Sequence, residues 1–344
     1  MNESNLPVPP VSAAPFAPAA TASMTGFKTF GQVLDRTYRL TRSHFKLLVG
    51  MAAIPSGIVL LLVMSLEVVI WIPMLRQFPN PPSPEAMLQY LTPGVIVPVL
   101  IGFVLLNLAI FSIYLAAASY ASVQADLGVE VTLGEAYGMA FQRGGRHLWL
   151  LGLCYLYACL PLLVIEAAVL LVADAFARGG ATPAPALFLL LPLVFLLYLG
   201  ALVYSIVMGL RLSLAFPACV AEGLTAIAAI KRSFQLSRGA MGRIFLVILV
   251  VYAVVVAGLL VIEIVAMIVA VIAAIVVMAA HIHLAAPWSY IGLGLLGVCG
   301  FAAMILFTSL TYAATMAALA VLYNDQRLRK DGPPPARTQA GGAA

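Results

Sequence analysis

Polar and charged positions along this chain are confined to short clusters. Between them lie six apolar stretches at about 46–73, 94–125, 147–175, 186–216, 244–270 and 288–323. About 20 apolar residues carry a helix across roughly 30 Å of hydrocarbon, so each stretch predicts one membrane-spanning helix. The run stays apolar from Ile268 to Ala280, and residues 244–280 as one helix would measure about 55 Å. That exceeds one crossing and falls short of two. Residues 268–283 therefore either extend the fifth helix or form a separate helix along the outer interface.

The polar clusters before spans one, three and five read as amphipathic helices. In the first, Phe27, Phe30, Leu34, Thr37/Tyr38 and Phe45 fall near helical spacing, with Lys28, Gln32, Asp35, Arg36, Arg39 and Arg42 mostly on the other side. Thr29-x-x-Gln32 and Thr132-x-x-Glu135 have the capping-box spacing that satisfies free N–H groups at a helix start. These clusters also repeat. Arg36-Thr-Tyr-Arg-Leu-Thr-Arg42 matches Arg232-Ser-Phe-Gln-Leu-Ser-Arg238 at an offset of 196, with Thr29 matching Thr225. Phe141-Gln142-Arg143 matches Leu40-Thr41-Arg42 at an offset of 101. The reading is an all-α, six-span membrane bundle of three units, at about 27–128, 129–216 and 217–330. Each unit is a cytoplasmic amphipathic helix followed by a transmembrane hairpin.

Composition narrows the class. Of 344 residues, 63% are hydrophobic and 9% charged, against roughly a quarter charged in a soluble domain, and mean hydropathy is +1.08. A soluble enzyme, a nucleic-acid-binding domain and a disordered chain are excluded. The net charge of +5 matters through its placement. Of 18 Lys and Arg, all but Arg76 and Arg178 fall on one side of the predicted bilayer, which makes both termini cytoplasmic. Residues 1–26 and 331–344, rich in Pro and Ala, read as a disordered lead-in and tail. The first of these has no basic n-region or apolar core of a signal peptide.

One stretch carries a recognisable signature. Pro217 is followed by Glu222-Gly223, then by Arg232-Ser233-x-x-Leu236-x-Arg238-Gly239. After the last span comes Tyr323-x-Asp325-x-Arg327-x-Arg329-Lys330-Asp331. This pattern resembles the membrane domain associated with bacterial glycerophosphoryl diester phosphodiesterases and its stand-alone relatives, over roughly residues 27–332. Asp331 stands where Glu is usual. The resemblance implies a multi-pass protein of the bacterial inner membrane and a third functional alternative, a subunit assisting such a phosphodiesterase. The relatives have no agreed activity.

The catalytic barrel of that enzyme needs about 250 residues, a His-Arg-Gly start and metal-binding carboxylates, and none of this is present. P-loop, dinucleotide and nucleophile-elbow motifs are also missing. No enzyme activity, cofactor, metal site or nucleic-acid partner is expected. Cys154, Cys159, Cys219 and Cys299 lack metal-ligand spacing and read as small buried thiols. His281 and His283 would diverge on a helix. Pro55, Pro98, Pro161 and Pro192 are expected to kink their helices.

Two sets of polar residues carry the functional expectations. Glu67, Glu166 and Glu263 follow the matching arginines by 25, 23 and 25 residues, which places one carboxylate at the same height in each hairpin. A carboxylate at the membrane centre costs at least about 2.5 kcal/mol. Either these three mark the outer interface or hydrogen-bond to Tyr and Ser on neighbouring helices, or they converge on a polar vestibule of a small transporter or channel. The second set is the basic face: Arg36, Arg39, Arg42, Arg143, Arg146, Lys231, Arg232, Arg238 and Arg243. It suits anionic lipid headgroups or docking of a partner protein. The leading expectation is a non-enzymatic scaffold, anchor or regulatory module.

Overall fold

A computed structural model of the chain describes residues 29–77, 93–179, 184–279 and 286–332. Helix α1 (Phe30–Ser43) leads into α2 (Phe45–Gln77), and α3 (Pro93–Asp126) follows. Next come α4 (Leu133–Gln142), α5 (Gly144–Gly179) and α6 (Ala184–Leu212). Short helices α7 (Ala215–Ala221) and α8 (Ala226–Ser237) then precede α9 (Met241–Ala279) and α10 (Ala286–Asp331). The described residues contain no strand. Six segments are long and apolar enough to cross a membrane, so this is an all-helical, multi-pass membrane protein. The lead-in, Phe27, Lys28, His281, His283 and residues 333–344 lie outside the described residues, as do the side chains of Glu67, Arg76, Arg178 and Cys299.

One boundary differs from the sequence reading, and one that it left open is resolved. The fourth apolar stretch does not run as one helix to residue 216. It ends at Leu212, and α7 starts separately at Ala215, with residues 215–220 all buried. The fifth helix continues unbroken to Ala279, about 58 Å at 1.5 Å per residue, and so includes residues 268–279. Pro98, Pro161 and Pro192 lie inside α3, α5 and α6, and Pro55 lies buried inside α2.

Around the bundle, α2 packs on α3, α3 on α5, α5 on α6, α6 on α9, and α9 on α10, which returns to both α2 and α3. The last of these helices is the central post. Half of its membrane-spanning window is buried, against 6% for α6, and residues 316–326 are buried without interruption. Small side chains make this possible, because they let helix backbones approach closely. Ala313, Ala317 and Ala320 are at most 1% exposed, and α2 and α3 bury Ala52, Ala117 and Ala121 in turn. Ala317→Leu is expected to overpack this crossing and cost about 1–3 kcal/mol in a denaturant titration. The same change at Ala302, which is exposed, should be neutral.

The short helices lie together with the last turns of α3 and α10 and make up the basic end of the bundle. Their starts follow the sequence. Both capping boxes form: Gln32 N donates to Thr29 Oγ1 at 3.4 Å and Thr29 N to Gln32 Oε1 at 2.8 Å, with the equivalent pair at Thr132 and Glu135. Hydrogen bonds from the Thr132 backbone and hydroxyl hold the Glu135 carboxyl below its usual pKa. Thr225 starts α8 without a side-chain cap bond, and Ala228 at the third position has no side chain to return a bond to the Thr225 backbone. The buried face of α1 is a correction. It consists of Val33, Thr37 and Leu40, whereas Phe30, Tyr38 and Phe45 are exposed. Spacings of four and three residues lay the smaller side chains against α10 and turn the aromatic ones outward.

Candidate functional site: an ion-paired base

The basic end of the bundle is held by three carboxylates, each meeting a cation or donor from another element. At the end of α3, Asp126 accepts 2.8 Å hydrogen bonds from Arg36 Nε of α1 and from Asn324 Nδ2 of α10. The second Arg36 nitrogen, Nη2, donates to the Asp126 carbonyl at 2.8 Å. Just after α7, Glu222 takes Arg232 Nε of α8 on both oxygens at 3.1 Å and the Tyr323 hydroxyl of α10 at 2.8 Å. Arg232 also pairs with Asp331 at the end of α10. On α10 itself, Asp325 receives Arg243 of α9 and Arg329 one turn on, both at 2.8 Å.

The arrangement depends on the pitch of one helix. Tyr323, Asn324 and Asp325 are consecutive, so their side chains leave α10 about 100° apart. Each therefore reaches a different neighbour: α7–α8, α3 and α9. All three are at most 5% exposed, so the post is polar at its foot and apolar above. Burial alone would lower the pKa of Arg232, but hydrogen bonds and negative charge from Asp331 and Glu222 hold it above its ordinary value.

Backbone turns complete the base. Gly223 and Gly239 adopt φ of +68° and +80°, a region that side chains with a Cβ rarely enter. They close the turns into α8 and α9. Arg146 Nη1 donates to the Gly223 carbonyl at 3.0 Å, Lys330 Nζ to the Arg238 carbonyl at 3.2 Å, and Ser233 Oγ to the Arg211 carbonyl at 2.5 Å. From α4, the Tyr137 hydroxyl donates to the Met51 carbonyl at 2.7 Å, and burial pushes its pKa up to about 12.

The predicted basic face thus divides. Arg36, Arg146, Arg232 and Arg243 turn inward to partners, whereas Arg39 pairs with Asp35 at the surface. Arg42, Arg143, Lys231 and Arg238 stay exposed. Among the signature residues, Glu222, Arg232, Asp325 and Arg329 form ion pairs, and Tyr323 donates a hydrogen bond to Glu222. Pro217, Ser233 and Leu236 are buried, and Arg327 is exposed. Asp126 and Asn324 belong to the base although no sequence motif marks them. For Asp126 the available signal was an acid at the very end of the second apolar run.

The glutamate layer reads differently. Glu166 is exposed and accepts the Tyr198 hydroxyl of α6 at 3.1 Å; Glu263 is exposed on α9. No hydrogen bond joins those two, and the side chain of Glu67 lies outside the described residues. Cys154, Cys159 and Cys219 are free thiols, of which only Cys219 is buried. No cluster of His, Cys, Asp or Glu among the described residues could hold a metal ion. No family model, curated protein or solved structure matches the chain.

Proposed function

We propose that this protein is a non-enzymatic scaffold or anchor of the bacterial inner membrane. In this reading both termini are cytoplasmic, and the rigid base presents basic side chains to anionic lipid headgroups or to a partner protein. The observation that carries it is the surplus of cations around a base whose inward-facing acids, Asp126, Glu222 and Asp325, are already paired. Arg42, Lys46, Arg143 and Lys231 are exposed, and so are Tyr38, Phe45, Phe141 and Trp149, at 45–67%. Aromatic rings prefer the headgroup level, and each nearby cation gains about 1 kcal/mol from an anionic surface.

The resemblance to the phosphodiesterase membrane domain draws support from the meeting of Glu222, Arg232 and Tyr323, which the sequence separates by up to 101 residues. The threefold repeat draws support from the element order, a short helix followed by two long ones, three times over with α7 added. The bond from Tyr198 to Glu166 favours interhelical hydrogen bonding over a transport vestibule.

Thermal unfolding in nanodiscs tests the lipid surface. The midpoint should rise by several degrees when phosphatidylglycerol is added to phosphatidylcholine, and added salt should erode the gain. The variant Arg42→Gln/Lys46→Gln/Arg143→Gln/Lys231→Gln should keep its midpoint in neutral lipid and lose the anionic gain. An undiminished gain in that variant would overturn the proposal.

A further inference from the structure

A cavity of about 920 Å³ lies between α2, α3, α5 and α10, near the upper end of the roughly 300–1,000 Å³ typical of ligand sites. Its α5 wall, residues 152–163, begins 8 residues into the helix, so it spans about 12–28 Å from the basic end. That is the middle of the bilayer. The opening is lateral. Val104, Leu156, Leu163 and Met304 on the wall are 50–60% exposed, and α5 packs along α3 and α6 but not along α10. Whatever enters comes from the hydrocarbon.

The lining is apolar and contains no charged side chain, but five polar ones converge on it from all four helices: Ser56, Asn107, Tyr155, Thr308 and Tyr312. Their hydrogen-bonding capacity is largely unused. Ser56 Oγ is buried with no partner. Asn107 donates one N–H to the Phe103 carbonyl, which leaves its amide oxygen open, and Thr308 likewise donates to Met304 and keeps its lone pairs. Tyr155 and Tyr312 bring their hydroxyls to the wall from α5 and α10. A second groove, of about 360 Å³ between α2, α3 and α4, has no such groups. Its one hydroxyl, on Tyr137, is bound to Met51. Apolar chains alone would suit that smaller groove.

We infer that the larger cavity binds a neutral bilayer lipid carrying a hydroxyl or carbonyl group, with its chain in the apolar part and its polar group among Ser56, Asn107, Tyr155, Thr308 and Tyr312. A charged headgroup finds no counter-ion there and would have to be drawn into the membrane centre, at a cost of several kcal/mol. A neutral group meets both donors and acceptors.

The test uses nanodiscs holding the full chain and a photoreactive, alkyne-tagged diacylglycerol, beside the same tagged chains on phosphatidylglycerol. Crosslinked peptides are read by mass spectrometry. The diacylglycerol should label peptides of α5 and α10 several-fold more than the phosphatidylglycerol. Gly152 faces open space where a side chain would project, so Gly152→Leu should intrude on the cavity and lower labelling several-fold while thermal unfolding stays unchanged. Tyr155→Phe with Asn107→Leu should remove the preference for the neutral lipid; if that pair fails to fold, Tyr155→Phe alone should reduce it. Equal labelling by the two lipids in the unaltered protein, or labelling indifferent to Gly152→Leu, overturns the inference.

Discussion

Asp325→Ala is expected to destabilise the bundle by about 3–5 kcal/mol, more than the loss of any other single side chain of the base. Asp325 is 2% exposed and stands between Arg243 and Arg329, whose side chains are 19% and 33% exposed. Removing the acid takes the shared carboxylate from two cations at the foot of the central helix, of which Arg243 is largely shielded from water. The penalty is that of uncompensated charge rather than the net worth of the pairs, since a buried ion pair gains little over apolar residues of equal volume. Asp325→Asn should fall between, because its amide oxygen still accepts while its charge is gone. The comparison that isolates burial is Asp35→Ala, at an i,i+4 pair with 57% and 66% exposure, expected to cost under about 1 kcal/mol. A denaturant titration in micelles measures both. Equal losses at the two sites would mean that the base is solvated and does not hold the bundle.

The six long helices and three short ones were legible because lipid imposes one rule on them. Every backbone polar group must be satisfied within its helix, so apolar length alone marks a span. The capping boxes were legible for a similar local reason: Thr29–Gln32 and Thr132–Glu135 satisfy helix starts within three residues. Packing against distant partners was not. Which face of α1 is buried depends on α10, nearly three hundred residues away, and favours Val33, Thr37 and Leu40 over the larger aromatic residues. The break at Leu212 was hidden because Ala215–Val220 is as apolar as a span, yet it is buried by protein and not by lipid. Arg36 illustrates the same limit. Its charge favours a membrane surface, and only the fold places Asp126 within 2.8 Å of it.

Glu222→Ala probes the one element whose role rests on the base alone, the buried helix α7. Two partners lose their acid: Arg232 keeps Asp331, but the Tyr323 hydroxyl is left unpaired in a fully buried position. A stranded buried hydroxyl costs about 1–3 kcal/mol, so global stability should fall by less than for Asp325→Ala. The local effect should be larger. Glu222 caps the end of α7 and ties it to α8 and α10, and Cys219, one turn earlier, is 0% exposed. In a background with Cys154, Cys159 and Cys299 replaced by alanine, maleimide should modify Cys219 slowly in the parent and at least ten-fold faster in Glu222→Ala. Tyr323→Phe makes the distinction sharp. It removes the hydroxyl without stranding it and leaves the Glu222–Arg232 pair intact, so Cys219 should stay protected. Should Cys219 remain protected in Glu222→Ala as well, α7 is held by the packing of Phe216 and Pro217, and the ion pair beside it only follows that packing.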